Sequence, residues 1–131
     1  MQERMKELRD VTMYSRGDVV LSLFPNSDMT SYKKCPVLIV QSEHVERGGD
    51  QKIVALITSN LKRTGVTRVP IECDSDLGRS MGLMMDSVVM TDNLATIKEH
   101  AFIKKIGHCS DMRAIDAALS HSLGIVTIDN N

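Results

Sequence analysis

Apolar positions fall along this chain in short runs rather than long helical stripes. Val19 to Phe24 is the first, opened by Gly17-Asp18 and rich in residues that favour strands. It ends at Pro25-Asn26-Ser27-Asp28, because Pro lacks a ladder donor and Asn, Ser and Asp favour turns. A polar, lysine-bearing loop then runs to Lys34, and Pro36 starts a second strand, Val37 to Gln41. Gly48-Gly49-Asp50 marks the next turn. In Ile53 to Thr58, alternation puts Val54, Leu56 and Thr58 on one face and Ile53, Ala55 and Ile57 on the other. Both faces are mostly apolar, so this strand belongs in the middle of a sheet. Gly65 precedes Val66 to Ile71, a loop rich in Asp and Ser follows, and Ser87 to Met90 and Ala95 to Ile97 complete the set.

Short strands at this spacing, with little helix between them, predict a mainly β fold, a small antiparallel barrel. One helix closes the chain. Ser110 is placed to cap it, Asp111 suits its positive end and Gly124 can terminate it. Met112, Ile115, Leu119 and Leu123 recur at helical spacing, which lays that face on the barrel. Residues 1–15 read as a polar lead-in, helical or loose, 16–131 as one domain, and Asp129 to Asn131 as a frayed end.

Aromatic residues make up only 3% of the chain, so the core has to be aliphatic, with many of the nine Met contributing. The net charge of -1 hides an uneven distribution. Ser31 to Val69 carries seven basic residues against three acidic ones, whereas Glu72 to Asp92 carries five acidic residues against Arg79 alone. Such asymmetry can steer an anionic ligand to one side, although solvated loops of mixed charge explain the counts as well. Cys35, Cys73 and Cys109 cannot all pair and show no CxxC spacing, which suits a reducing cytoplasm. MQERMKELRD has no apolar segment of the signal-peptide kind, and no run approaches the ~20 apolar residues of a membrane helix.

Several motifs fail on context. Gly78-Arg79-Ser80-Met81-Gly82 spells GxSxG, but a nucleophile elbow needs a strand before it and a helix after it. His44, His100, His108 and His121 lack metal-ligand spacing, and the neighbours His108-Cys109 seldom converge on one ion, so no metal site is expected. No phosphate-binding glycine loop or other cofactor motif occurs. What remains is a polar set at strand ends: Ser27, Asp28, Lys33 and Lys34 on the first loop, Thr58, Ser59 and Asn60 after the third strand, and Asp92 after the fifth. On a small barrel such ends can share a rim, offering cations and proton carriers to a phosphodiester. Position alone leaves two readings open, a nucleic-acid-binding rim and ordinary strand-end capping, and favours the second.

The same segments resemble the PemK/MazF toxins. Arg16-Gly17-Asp18-Val19-Val20-Leu21 is similar to their opening strand, written RGDVxxV, and Lys34-Cys35-Pro36-Val37-Leu38-Ile39-Val40 to their KxRPxLIV strand. Val54 to Ser59 matches the segment that ends in a Thr-Ser-like pair, and Gly82-Leu83, Asp86 to Val89, Asp92 and Thr96-Ile97 follow the later pattern. The order holds from Arg16 to Gly124. The resemblance implies an SH3-like barrel with a C-terminal helix, a cytoplasmic homodimer, and a cognate antitoxin that blocks the RNA groove. It further implies cleavage of single-stranded RNA, mostly mRNA, without metal, by attack of the ribose 2′-hydroxyl on the adjacent phosphate. Thr58 then falls at the active-site threonine, Ser59 beside it at the phosphate, and Asp92 at a position some members use as acid or base. Ser27, Asp28, Lys33, Lys34 and Asn60 fall where bound RNA is contacted.

Cys35 departs from the pattern, since the family places arginine before that proline. A thiol of ordinary pKa, about 8.5, is mostly neutral at pH 7 and a weak donor. Losing one charged donor typically costs about 10²–10³ in rate. Three readings follow: Lys33 or Lys34 supplies the cation, the chain is a naturally weak member, or Cys35 replaces an original arginine. The last two weigh more, because lysine is a point charge without the guanidinium fork. Two alternatives to the ribonuclease stand beside it. A gyrase poison like the CcdB toxins would use the C-terminus, yet His121 to Asn131 offers no aromatic anchor. A non-catalytic RNA-binding barrel gains weight from Cys35.

Overall fold

The computed structural model describes residues 13–43 and 50–126. The lead-in at 1–12, the Gly48-Gly49 turn and the end at 129–131 lie outside the described residues. Six strands form one antiparallel sheet: β1 (Asp18–Pro25), β2 (Tyr32–Ile39), β3 (Gln51–Thr58), β4 (Arg68–Ile71), β5 (Ser87–Lys98) and β6 (Phe102–His108). Their order is β4-β5-β3-β2-β1-β6, so β3 is central, as its two apolar faces require. A short helix α1 (Asp76–Ser80) precedes β5, and α2 (Arg113–Leu123) follows β6. The expected mainly β fold with a C-terminal helix is present. The closed barrel is not, because β4 and β6 are edges that do not pair with each other. No helix among the described residues is long and apolar enough to cross a membrane.

Several boundaries differ from expectation for physical reasons. β2 begins at Tyr32, so Lys33 and Lys34 belong to a strand, opposite Phe24 and Leu23, and not to a loop. The two expected pieces at 87–90 and 95–97 are one strand, β5, with Thr91-Asp92-Asn93 taken up as a bulge between the pairs Leu56↔Met90 and Ala55↔Leu94. Thr91 is fully buried there: its backbone N–H and its hydroxyl both donate to the Thr67 carbonyl, at 3.0 and 2.6 Å. The GxSxG segment starts inside α1, whose Ser75 cap accepts from the Gly78 N–H at 3.0 Å, so no nucleophile elbow exists. Ser110 does not cap α2. Its N-cap is Met112, which makes no side-chain cap bond, and Asp111 just before it accepts from the backbone and guanidinium of Arg113. Gly124 ends α2 with φ +68° as expected.

Both faces of the sheet are covered. On one, Val19, Leu38, Ala55, Ile57 and Val89 pack with Ile115 and Ala118 of α2 and with Met81. On the other, Val20, Val37, Ile39, Val54 and Leu56 pack with Phe24 and Phe102. The core is aliphatic, but methionine contributes less than expected: Met81 and Met90 are buried, whereas Met29, Met84 and Met85 are exposed. Leu123 is also exposed, so the buried stripe of α2 stops short of the last turn.

One charge is buried at the start of β1. Asp18, 2% exposed, accepts from the Ser15 N–H at 2.9 Å, lies 2.8 Å from His108 Nδ1 and pairs with Lys105 Nζ at 3.1 Å. Gly17 permits the approach, since a Cβ there would stand 2.9 Å from the His108 ring. Burial alone would raise the Asp18 pKa, but the bonds from His108, Ser15 and Lys105 outweigh it and hold it below the ordinary carboxylate value. A depressed folded-state pKa stabilises the fold above the unfolded value of about 3.9, and that contribution disappears as pH falls through the folded value. Asp18→Asn should therefore cost about 2–3 kcal/mol at pH 7, the scale of charged hydrogen bonds lost, and progressively less below about pH 4. Urea unfolding of both proteins at pH 7 and pH 3 measures this, and a gap independent of pH contradicts it.

Candidate active site

The site opens where two neighbouring strands stop pairing. The β2–β3 ladder runs from Ile39↔Val54 to Val37↔Leu56 and ends there. The next residue of β2 is Pro36, which has no N–H for a ladder. β2 continues along β1 as far as Tyr32↔Pro25, and β3 along β5 as far as Thr58↔Val88. Each strand thus stays with its outer neighbour, and a cleft of about 800 Å³ occupies the split. Lys33, Lys34 and Cys35 of β2 line it, with Thr58 and Ser59 at the end of β3 and Lys104 and Lys105 of β6. Met84 and Met85 form an exposed lip. Among the described residues, four lysines border this cleft and no carboxylate does.

A smaller cavity of about 370 Å³, lined by Asn26, Ser27, Asn60, Arg63 and Asn93 among others, lies beside it. Lys33, Leu56 and Thr58 border both spaces and so form the rim between them. Thr58 Oγ1 accepts from the Asn60 N–H at 3.1 Å, and Asn60 Oδ1 accepts from the Lys62 N–H at 3.1 Å. These bonds fix the turn and leave the Thr58 hydroxyl proton free to donate to a bound group. Lys105 is tied to Asp18, whereas Lys33, Lys34 and Lys104 have no ion-pair partner among the described residues. Rigid hydroxyl and unpaired cations together suit an oligoanion.

The sequence profile of the PemK-like, MazF-like toxins of type II toxin-antitoxin systems matches residues 15–123. The chain belongs to this family. It is 31% identical over 116 residues to the endoribonuclease EndoA of Bacillus subtilis, an alignment covering 85% of this chain and 95% of that protein. Among solved structures, the Mycobacterium tuberculosis toxin MazF-mt6 matches with a TM-score of 0.65 at 27% identity, over 84% of this chain and 99% of that one. A mycobacterial endoribonuclease in complex with its cognate antitoxin matches with a TM-score of 0.68 over 88% and 99% of the two chains, and at 23% identity speaks for the fold.

For a PemK/MazF chain, the expected residues divide cleanly in space. Lys33, Lys34, Cys35, Thr58 and Ser59 meet at the large cleft, and Ser27 and Asn60 at the smaller cavity. Asp28 borders neither. Its carboxylate accepts from the Thr30 N–H at 2.9 Å and closes the hairpin tip, and that bond holds its pKa below the usual range. Asp92 also borders neither: a two-pronged bond from Arg68, at 2.9 and 3.3 Å, occupies its carboxylate on the β5 bulge. Lys104, Lys105, Met84 and Met85 were not among the expected site residues. The basic pair Lys104-Lys105 was visible in the sequence, but nothing there marked β6 as a strand beside β1.

Cys35 is half-buried in this PemK/MazF cleft. Burial pushes its thiol pKa up, and the charge of Lys33 opposes that without cancelling it. Cys35 should therefore alkylate more slowly at pH 7 than a free thiol of pKa about 8.5, and accelerate only at more alkaline pH. Iodoacetamide labelling read by peptide mass spectrometry, with glutathione as reference, measures this, and faster labelling than glutathione contradicts it.

Proposed function

We propose that this chain is the endoribonuclease toxin of a toxin–antitoxin pair, cutting single-stranded RNA at the split between β2 and β3. The observation that carries the reading is the Thr58 hydroxyl on the rim of a cleft bordered, among the described residues, by four lysines and no carboxylate. The named activity of EndoA and the antitoxin bound to the mycobacterial structure support it. The expected reaction is attack of a ribose 2′-hydroxyl on its own 3′ phosphorus. The bond to the 5′ oxygen of the next nucleotide breaks, leaving a 2′,3′-cyclic phosphate and a 5′-hydroxyl. The 2′-hydroxyl passes its proton to water in the open cleft, and the departing 5′ oxygen takes one back from water. Thr58, oriented by Asn60, donates to a phosphate oxygen, Ser59 offers a second hydroxyl, and Lys33 supplies positive charge on the rim. Unpaired bases can spread into the two cavities, a common mode of single-strand recognition.

Cys35 contributes a neutral thiol at the position where charge is most useful. The same reading has the protein working as a cytoplasmic homodimer and a cognate antitoxin covering the cleft. Among the described residues no three His, Cys, Asp or Glu side chains gather as metal ligands.

Thr58→Ala should lower cleavage of long single-stranded RNA by about 10²–10³-fold, the loss of one positioned donor, while leaving the urea midpoint nearly unchanged. Equal activity removes Thr58 from the reaction. Cys35→Arg should raise the rate at least tenfold, in line with about 1.5–3 kcal/mol for a charged hydrogen bond, with cyclic-phosphate ends on the products. No gain means that Lys33 already fills that role. No cleavage by either protein overturns the ribonuclease reading in favour of RNA binding without catalysis.

A further inference from the structure

Lys104 stands on the edge strand β6, opposite Leu21 of β1, and Leu21 stands opposite Pro36 of β2. Paired residues share a face of the sheet, as do residues two apart on one strand, so Lys104, Leu21, Pro36 and Lys34 lie on the same side. All four border the large cleft. β6 and β2 flank β1, so their backbones stand about 10 Å apart, two strand spacings. Lys34, opposite Leu23, thus lies diagonally across β1 from Lys104 on the same face, both exposed and without an ion-pair partner among the described residues. Lys33 and Thr58 alternate to the other face, with Val37 and Leu56 of the second core cluster. Lys105 is taken up by Asp18.

We infer that Lys34 and Lys104 form a second phosphate site, which grips the RNA backbone one step beyond the reacting phosphate at Thr58. This rests on the RNA-cleaving reading and extends it to a named footprint. A strand that crosses the rim at Thr58 and Lys33 enters the large cleft over Leu21. Its next phosphate meets two unpaired ammonium groups there and, among the described residues, no competing carboxylate. The site makes no use of base identity, so it contributes affinity equally for every sequence.

The experiment is the salt dependence of binding of a short, uncleavable 2′-O-methyl RNA to the full chain. Each phosphate contact on a single strand contributes about 0.7 to the slope of log K against log salt. Lys104→Gln should lower the slope magnitude by about that amount, and Lys104→Arg should preserve it. Lys98→Gln, which removes an equal charge from a residue bordering neither cavity, should leave it unchanged. An unaltered slope in Lys104→Gln overturns the second site, as does an equal fall in Lys98→Gln. If the unsubstituted protein shows no salt-dependent RNA binding, the ribonuclease reading falls and this site with it. Circular dichroism confirms folding, which the exposed position of Lys104 favours.

Discussion

Much of this structure depends on a hydrogen bond that one residue cannot make. Pro36 offers no N–H, and the β2–β3 ladder stops one residue away, at Val37↔Leu56. Had pairing continued, Cys35 and Thr58 would face each other across an ordinary sheet, and backbone would fill the space the cleft now occupies. Because β1 and β5 hold the two strands on their outer sides, the split costs no disorder. Strand-borne side chains flank the opening, and strands fix positions more firmly than loops do. The rim formed by Lys33, Leu56 and Thr58 follows directly from that separation.

Electrostatics give this opening its chemical character. The chain is nearly neutral, yet several of its carboxylates are occupied elsewhere. Asp92 is held by Arg68, Asp86 accepts from the Cys73 N–H, Asp111 from Arg113, and Asp116 pairs with Arg16. Asp18 neutralises Lys105 on the far side of β1. What is left unpaired around the cleft is cationic. Net charge therefore says little here, because the sorting of charge is local and rests on bonds that only the folded chain makes.

That sorting also explains what the sequence could and could not reveal. Ile53 to Thr58 showed two apolar faces and proved central, and Gly124 showed its helix end, since both signals are local. β6 escaped notice because an edge strand buries little: Phe102 is covered, but Ile103, Lys104 and Lys105 are exposed, which breaks the alternation. Thr91-Asp92-Asn93 looked like the end of a strand, yet a bulge anchored by Thr91 and Arg68 carries β5 through it. Asp92 consequently points to its own ion pair rather than to Thr58. Thr58, Ser59, Lys33 and Lys34 were legible as polar strand-end residues, but their convergence depends on the split at Pro36, which no local pattern announces.

The position of Lys33 and Lys34 on a strand narrows the question raised by Cys35. On a flexible loop, either lysine could have swung toward one phosphate. On β2 consecutive side chains alternate, so Lys33 shares the face of Cys35 while Lys34 takes the opposite one. The two cannot gather on a single phosphate oxygen without breaking the pairs Phe24↔Lys33 and Leu23↔Lys34. Lys33 is therefore the one neighbour placed to offset a missing guanidinium, and its charge already acts on the Cys35 thiol. A single ammonium supplies charge without a fork, so it can neutralise the phosphate but orients it poorly. In the proposed reaction, orientation then falls to Thr58, whose hydroxyl oxygen accepts from the Asn60 N–H.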